Sequence, residues 1–166
     1  MTASSKYRPD IDGLRAIAVL SVVLFHFKLG PFAGGFVGVD IFFVISGFLI
    51  AGIIRDEMTR GAFTFAGFYE RRIRRILPAL GVVLLATGIA GAAILLPTDL
   101  RQLGDSTVAT ALFASNFYFW RHTGYFDPGH DFNPLLHTWS LAVEEQYYMV
   151  FPVILFLLVR FRRDAA

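Results

Sequence analysis

The sequence predicts an all-α integral membrane protein with about four transmembrane helices plus a short re-entrant or interfacial helix. Three observations carry that expectation: an uncharged run of twenty residues from Leu77 to Leu96, three further apolar stretches, and the arginines that flank them. A bilayer core needs about 20 mostly apolar residues in a helix. A helix buried in a soluble domain of this size shows a polar face instead. Composition agrees, with 55% hydrophobic and 17% charged residues, against about 25% charged in ordinary soluble domains.

The first span runs from about Leu14 to Phe27 and extends through Leu29. A charged start and a short apolar run also resemble a signal peptide. The following KLGPFAGGF lacks a small-x-small cleavage site, however, and Arg15 and His26 would be unusual in a discarded peptide. The second span runs from Val37 to Ile54, interrupted only by Asp40 and Ser46. The third opens with Pro78, tolerated near a helix start because its missing N–H would be unsatisfied there anyway. The fourth runs from about Leu135 to Val159 and contains Glu144, Glu145 and Gln146. Between the third and fourth, STVATALFASNFYFW at Ser106 to Trp120 has 15 residues and reads as re-entrant or interfacial rather than spanning.

Topology follows from the basic residues. Lys6, Arg8 and Arg15 precede or open the first span, Arg55, Arg60, Arg71, Arg72, Arg74 and Arg75 follow the second, and Arg160, Arg162 and Arg163 follow the fourth. Four spans put twelve of the fifteen basic residues on one side, leaving Lys28, Arg101 and Arg121 on the other. The positive-inside rule makes both termini cytoplasmic. Residues 7–159 then form one transmembrane domain, and residues 160–166 a cytoplasmic basic tail. The absence of cysteine excludes disulfides, thiolate metal sites and a cysteine nucleophile. A net charge of +2 is too small to argue for nucleic acid.

Polar residues within membrane spans are expensive and mark candidate chemistry. Arg15 and His26 are eleven residues apart, about 20° past three full helical turns and roughly 17 Å along the axis. They share one face. The short Lys28–Phe36 connection makes the first two spans an antiparallel hairpin, which places Asp40 near the His26 end. Asp40 is either the carboxylate that orients a histidine base or an acid that complements the dipole of its own helix. In FYERRIRRILP, four arginines occupy five positions around Ile73. They can orient the span and bind anionic head groups, or hold a phosphate-rich soluble ligand through guanidinium groups at i and i+3. No glycine-rich phosphate loop is present, which argues against ATP-driven chemistry.

The fourth span opens as HTWSLAVEEQYYMVFP, with His137, Ser140 and Glu144 on one face. A hydrolase reading of the serine and histidine lacks a nucleophile elbow. A metal reading lacks the H-E-x-x-H pattern, so no metal is expected.

Taken in order, DGLRAIAVLSVVLFHF, GGFVGVDIFFVISGFLI, FYERRIRRILPAL and HTWSLAVEEQYYMVFP closely resemble the N-terminal part of the membrane acyltransferase-3 family, from about Tyr7 to Val159. The family O-acylates bacterial surface polysaccharides, peptidoglycan and other acceptors. The resemblance implies a bacterial inner-membrane enzyme that passes an acyl group, usually acetyl, from cytoplasmic acyl-CoA to a hydroxyl of a cell-surface carbohydrate. Acyl-CoA is then a co-substrate, with no bound cofactor. Arg15 and His26 match the family's basic-x10-His motif, with His26 as catalytic base. The R-x-x-R pattern fits Arg72 and Arg75 best, with Arg71 and Arg74 at the same spacing, and the resemblance assigns this cluster to the phosphates of CoA. Glu144 matches the family's acidic position better than Glu145. QYY stands where relatives often show QFY. Members typically have about ten spans, so the chain reads as a partial acyltransferase-3 bundle, a truncated piece whose partners would include missing C-terminal helices. Two readings compete with an acyltransferase: a transporter or channel subunit using Arg15, His26, Asp40 and Glu144 as an ion or proton path, and a non-catalytic membrane scaffold.

Overall fold

The computed structural model describes residues 8–28, 30–122 and 133–164, and among the described residues the chain is helical throughout, with no strand. It divides into two compact units, Met1–Thr59 and Arg60–Ala166.

The first unit is the expected hairpin. Helix α1 spans Pro9–His26, two short 3-10 turns follow at Gly30–Phe32 and Gly35–Val37, and α2 spans Gly38–Thr59. Pro9 opens α1 with its φ already helical, and Asp10 and Asp12 lie where carboxylates complement the helix dipole. Arg8 pairs with Asp10 at 2.7 Å, and its hydrogen bonds hold the Asp10 carboxyl down at about 2. α1 stops at His26, before Lys28 turns left-handed at φ 53.

Close packing of α1 against the start of α2 depends on two glycines. A Cβ on Gly35 would overlap the Ser21 carbonyl oxygen and lie 2.8 Å from the Phe25 Cβ. One on Gly38 would overlap the Ala18 carbonyl oxygen and lie 2.8 Å from Val22. Ala18 is fully buried in this contact. Small residues let helix backbones approach, a device suited to membranes, where burial from lipid alone drives helices together weakly.

The second unit begins with α3, Phe65–Ile94, whose N-cap Thr64 accepts a hydrogen bond from the Gly67 amide at 3.2 Å. At 30 residues it is about 45 Å long, half as long again as a bilayer core of about 30 Å. The uncharged run is thus only its later part. FYERRIRRILP belongs to the same helix, because a capped start followed by Glu, Arg and Leu favours helix well before the uncharged run. Pro78 accordingly lies inside α3 rather than at its start, and leaves the Arg74 carbonyl without its usual amide partner. Val82, Leu85 and Ile89 recur at helical spacing and are all exposed, an apolar stripe for lipid.

The stretch from Ser106 to Trp120 is not one rod. α4 (Pro97–Ala111) and α5 (Ser115–His122) are separated by a corner at which Phe113 has φ 52. Such a conformation is uncommon for a bulky side chain and persists only where surrounding contacts hold it. Here α6 (Thr138–Asp164) does so. Gln146 donates to the Phe113 carbonyl at 2.8 Å and to Asn116 Oδ1 at 2.9 Å, and the Asn116 amide donates back to Gln146 at 3.1 Å. Ser115 donates to the Thr138 carbonyl, and the Thr110 and Thr138 hydroxyls meet at 2.9 Å. Leu103, Phe119 and Leu135 pack beside this network. Gln146→Leu leaves the corner's carbonyl and the Asn116 amide without their Gln146 partner and is expected to cost about 2 kcal/mol, measured as a lowered unfolding midpoint in detergent; an unchanged midpoint would show that the corner holds without Gln146.

α6 runs antiparallel to α3. Phe65 meets Phe156 with ring centroids 5.3 Å apart, Tyr69 donates to the Met149 carbonyl at 2.7 Å, and the Arg72 guanidinium lies over Tyr148. α6 continues without a break to Asp164, so the first residues of the expected basic tail belong to its last turns. Three stretches among the described residues are long and apolar enough to cross a membrane: Gly35–Thr59, Phe65–Ile94 and Thr138–Phe161. α1 is not among them; its 18 residues include Asp10, Asp12 and Arg15.

Candidate functional site

In the first unit, α1 is continuous from Pro9 to His26, so Arg15 and His26 keep the common face and the separation of roughly 17 Å that helix geometry dictates. Arg15 lies 3.8 Å from Asp12, one turn earlier. His26 is the last residue of the helix and is exposed. Its Nδ1 is 2.8 Å from the Val22 carbonyl oxygen. A carbonyl only accepts, so Nδ1 carries a proton, and Nε2 is the nitrogen at which the uncharged form of the ring has its lone pair. Phe25 holds the ring edge-on with centroids 5.6 Å apart, and Phe36 packs edge-on against Phe25 in turn.

Among the described residues His26 and Asp40 share no hydrogen bond or ion pair. Gly38 packs at Ala18 and Val22, and Asp40 lies two residues further along α2, about 3 Å deeper. That sets it level with the middle of α1, roughly 12 Å along the axis from His26. Two residues on a helix are also about 200° apart, which turns Asp40 away from the face that Gly38 presents to α1. The hairpin's connection is short, but its helical turns shift the register. Asp40 occupies the first turn of α2, where its charge complements the dipole.

In the second unit, α3 separates the two arginine pairs that share one spacing. Arg74 pairs back to Glu70 on its own helix at 2.8 Å, and the Arg71 guanidinium folds over the backbone at Gly67. Arg72 turns towards α6: its guanidinium carbon lies 4.1 Å from the centroid of the Tyr148 ring and 6.0 Å from that of Phe68. Arg75 is one turn further along α3 and is exposed.

The acidic pair on α6 divides as well. Glu144 accepts a hydrogen bond from the Tyr148 hydroxyl one turn later. Glu145 is 6% exposed, and its Oε1 has no hydrogen-bond partner among the described residues. Its charged neighbours are Arg72, Glu144 and Arg75. His137 lies in the turn before α6 and is exposed, and Ser140 donates to its carbonyl. Among the described residues no group of three or more His, Asp or Glu side chains could hold a metal ion. Tyr148 was not singled out from sequence. The neighbouring Tyr147 carries the same amphipathic signal but is 38% exposed, whereas Tyr148 is 3% exposed. The i, i+4 spacing from Glu144 was the available cue.

These helices define an all-helical protein suited to a membrane, with an exposed imidazole in one unit and a stacked guanidinium in the other. The chain belongs to the acyltransferase-3 family, whose sequence model, described as an acyltransferase domain, matches residues 8–166. It is 38% identical over 163 residues to a Listeria monocytogenes protein named peptidoglycan O-acetyltransferase OatA, covering 97% of this chain and 26% of that protein. It is 39% identical over 162 residues to O-acetyltransferase OatA of Staphylococcus aureus, covering 96% of this chain and 26% of that protein. The chain therefore spans about a quarter of the length of these relatives. No solved structure matches it.

Proposed function

We propose that this chain carries the acyl-donor and base residues of a membrane O-acetyltransferase that moves an acetyl group from acyl-CoA to a hydroxyl of a cell-surface carbohydrate. The observation that carries this reading is the place of Arg72. Its guanidinium is turned to α6 and lies over the buried Tyr148 ring, and Arg75 one turn on is exposed, both at the end of α3 that precedes the uncharged run. Arginines that only orient a span or meet head groups need no such partner. A guanidinium held between two helices suits a ligand whose phosphates enter there. The relatives' names support acetyl as the group moved, and one of them supports a carbohydrate as acceptor.

The topology belongs to the same proposal. α1, α2, α3 and α6 cross the inner membrane with both termini cytoplasmic, and α4 and α5, broken at Phe113, form the re-entrant or interfacial element. Arg15, on the face of α1 that carries His26, belongs to the donor-binding residues of the same proposal. Nε2 of His26 removes the proton from the acceptor hydroxyl as its oxygen attacks the thioester carbonyl. The tetrahedral intermediate collapses with departure of the CoA thiolate, which takes the proton back from the imidazolium. No covalent enzyme intermediate is needed. Because the Val22 carbonyl fixes the tautomer, Asp40 contributes no hydrogen bond to the base, and Asp40→Asn is expected to keep transfer within about tenfold of the parent. A loss of a thousandfold or more would return Asp40 to the role of orienting acid.

The test mixes membranes containing the protein with acetyl-labelled acetyl-CoA and follows label into surface glycan. Label in glycan that depends on His26 supports the reading. Proton flux across the membrane without dependence on acetyl-CoA would replace it with a transport function.

A further inference from the structure

Arginine is a long side chain, and holding its guanidinium in one place costs rotamer entropy. On α3 that restriction is imposed from outside the helix. The Tyr148 ring is buried and lies 4.1 Å beneath the Arg72 guanidinium carbon, with Phe68 flanking at 6.0 Å. A guanidinium stacked on a ring uses its face and leaves its N–H edges in the plane, pointing outward. Those edges are the groups that bind phosphate bidentately. The ring is fixed in turn, because its hydroxyl donates to Glu144 one turn earlier on α6. Tyr69 bonds to the Met149 carbonyl beside it and locks the register of the two helices at this level.

We propose that Tyr148 is a positioning residue of the donor site: its ring carries Arg72 in the orientation that receives a phosphate of acyl-CoA, and Glu144 acts by holding that ring. The inference rests on the donor-site reading of the arginine cluster given above. It moves Glu144 from the reacting atoms to the support of Arg72, and it makes the second tyrosine of QYY, not the first, the residue that matters.

The experiment measures binding of acetyl-CoA and of S-acetylpantetheine, which carries the thioester but no phosphate, to the protein in membrane vesicles. Tyr148→Leu and Arg72→Ala should each weaken acetyl-CoA binding about tenfold and leave S-acetylpantetheine binding within about twofold of the parent. The double variant should be no weaker than Arg72→Ala alone, because the two residues act as one unit. Tyr148→Phe, which keeps the ring but loses its bond to Glu144, should recover part of the acetyl-CoA affinity and match Glu144→Leu. Glu144→Leu should lose more than Glu144→Gln, whose amide oxygen still accepts from the hydroxyl. In turnover the loss should appear in KM rather than kcat.

Equal weakening for both ligands would mean that Tyr148 does not act through the phosphate contact, and a Tyr148→Phe variant as weak as Tyr148→Leu would mean that the ring is not the agent; either overturns the proposal. Additive losses in the double variant overturn it also. If Arg72→Ala binds acetyl-CoA like the parent, the donor-site reading itself falls. If Arg72→Ala weakens binding and Tyr148→Leu does not, that reading stands and the positioning role falls.

Discussion

His26→Ala is expected to reduce acetyl transfer at least about 100-fold, the lower end of what a positioned general base contributes, with the protein still inserted in the membrane. The argument is local. His26 ends α1, its Nδ1 proton is committed to the Val22 carbonyl, and Nε2 is the basic nitrogen left to an acceptor. Label transfer from acetyl-CoA to glycan measures the loss, and protease mapping of the hairpin in intact vesicles checks insertion. Donor binding should persist in this variant, since the phosphates are assigned to α3. Transfer retained at the parent's rate would remove His26 from the mechanism, however well its geometry suits a base.

The second large effect concerns the hairpin that holds this histidine. Gly38→Val drives a branched side chain into the Ala18 carbonyl and the Val22 side chain, neither of which can withdraw without moving α1. The expected cost is about 3 kcal/mol, the upper part of the usual range for overpacking, read as a lowered unfolding midpoint in detergent. Gly52→Ala on the same helix is the contrast: a Cβ there meets nothing within 4 Å. Replacing that glycine should stabilise α2 by about 0.5–1 kcal/mol. If both substitutions have the same effect, glycine matters to this helix through flexibility and not through close approach.

The membrane character, the hairpin and the four motifs were legible in the chain because each is a local pattern. A twenty-residue apolar run needs no partner to be recognised, and Arg15 and His26 share a face by helix geometry alone. Element boundaries were less legible. α3 begins twelve residues before Leu77, where the sequence places the start of its uncharged run, because Thr64 caps a helix that the arginines then continue. Hydropathy marks what a bilayer tolerates and is blind to helix extending beyond it. Ser106 to Trp120 reads as one short segment in composition, yet Gln146 from a helix more than twenty residues away supports the break at Phe113.

The site divides along the same line. The chain's local chemistry determines the residues available: a histidine on a face with an arginine, two i, i+3 arginine pairs, two adjacent glutamates. Spacing is identical within each pair and offers no basis for choosing. Packing between distant segments separates them, turning Arg72 to Tyr148 while Arg74 pairs with Glu70 on its own helix and burying Glu145 beside Glu144, and the register of the hairpin sets Asp40 roughly 12 Å along the axis from His26. The physical reason is that periodicity fixes an azimuth on one helix, whereas register between helices is set by which side chains can approach. In this protein Gly35, Gly38 and the Tyr69–Met149 bond make that decision.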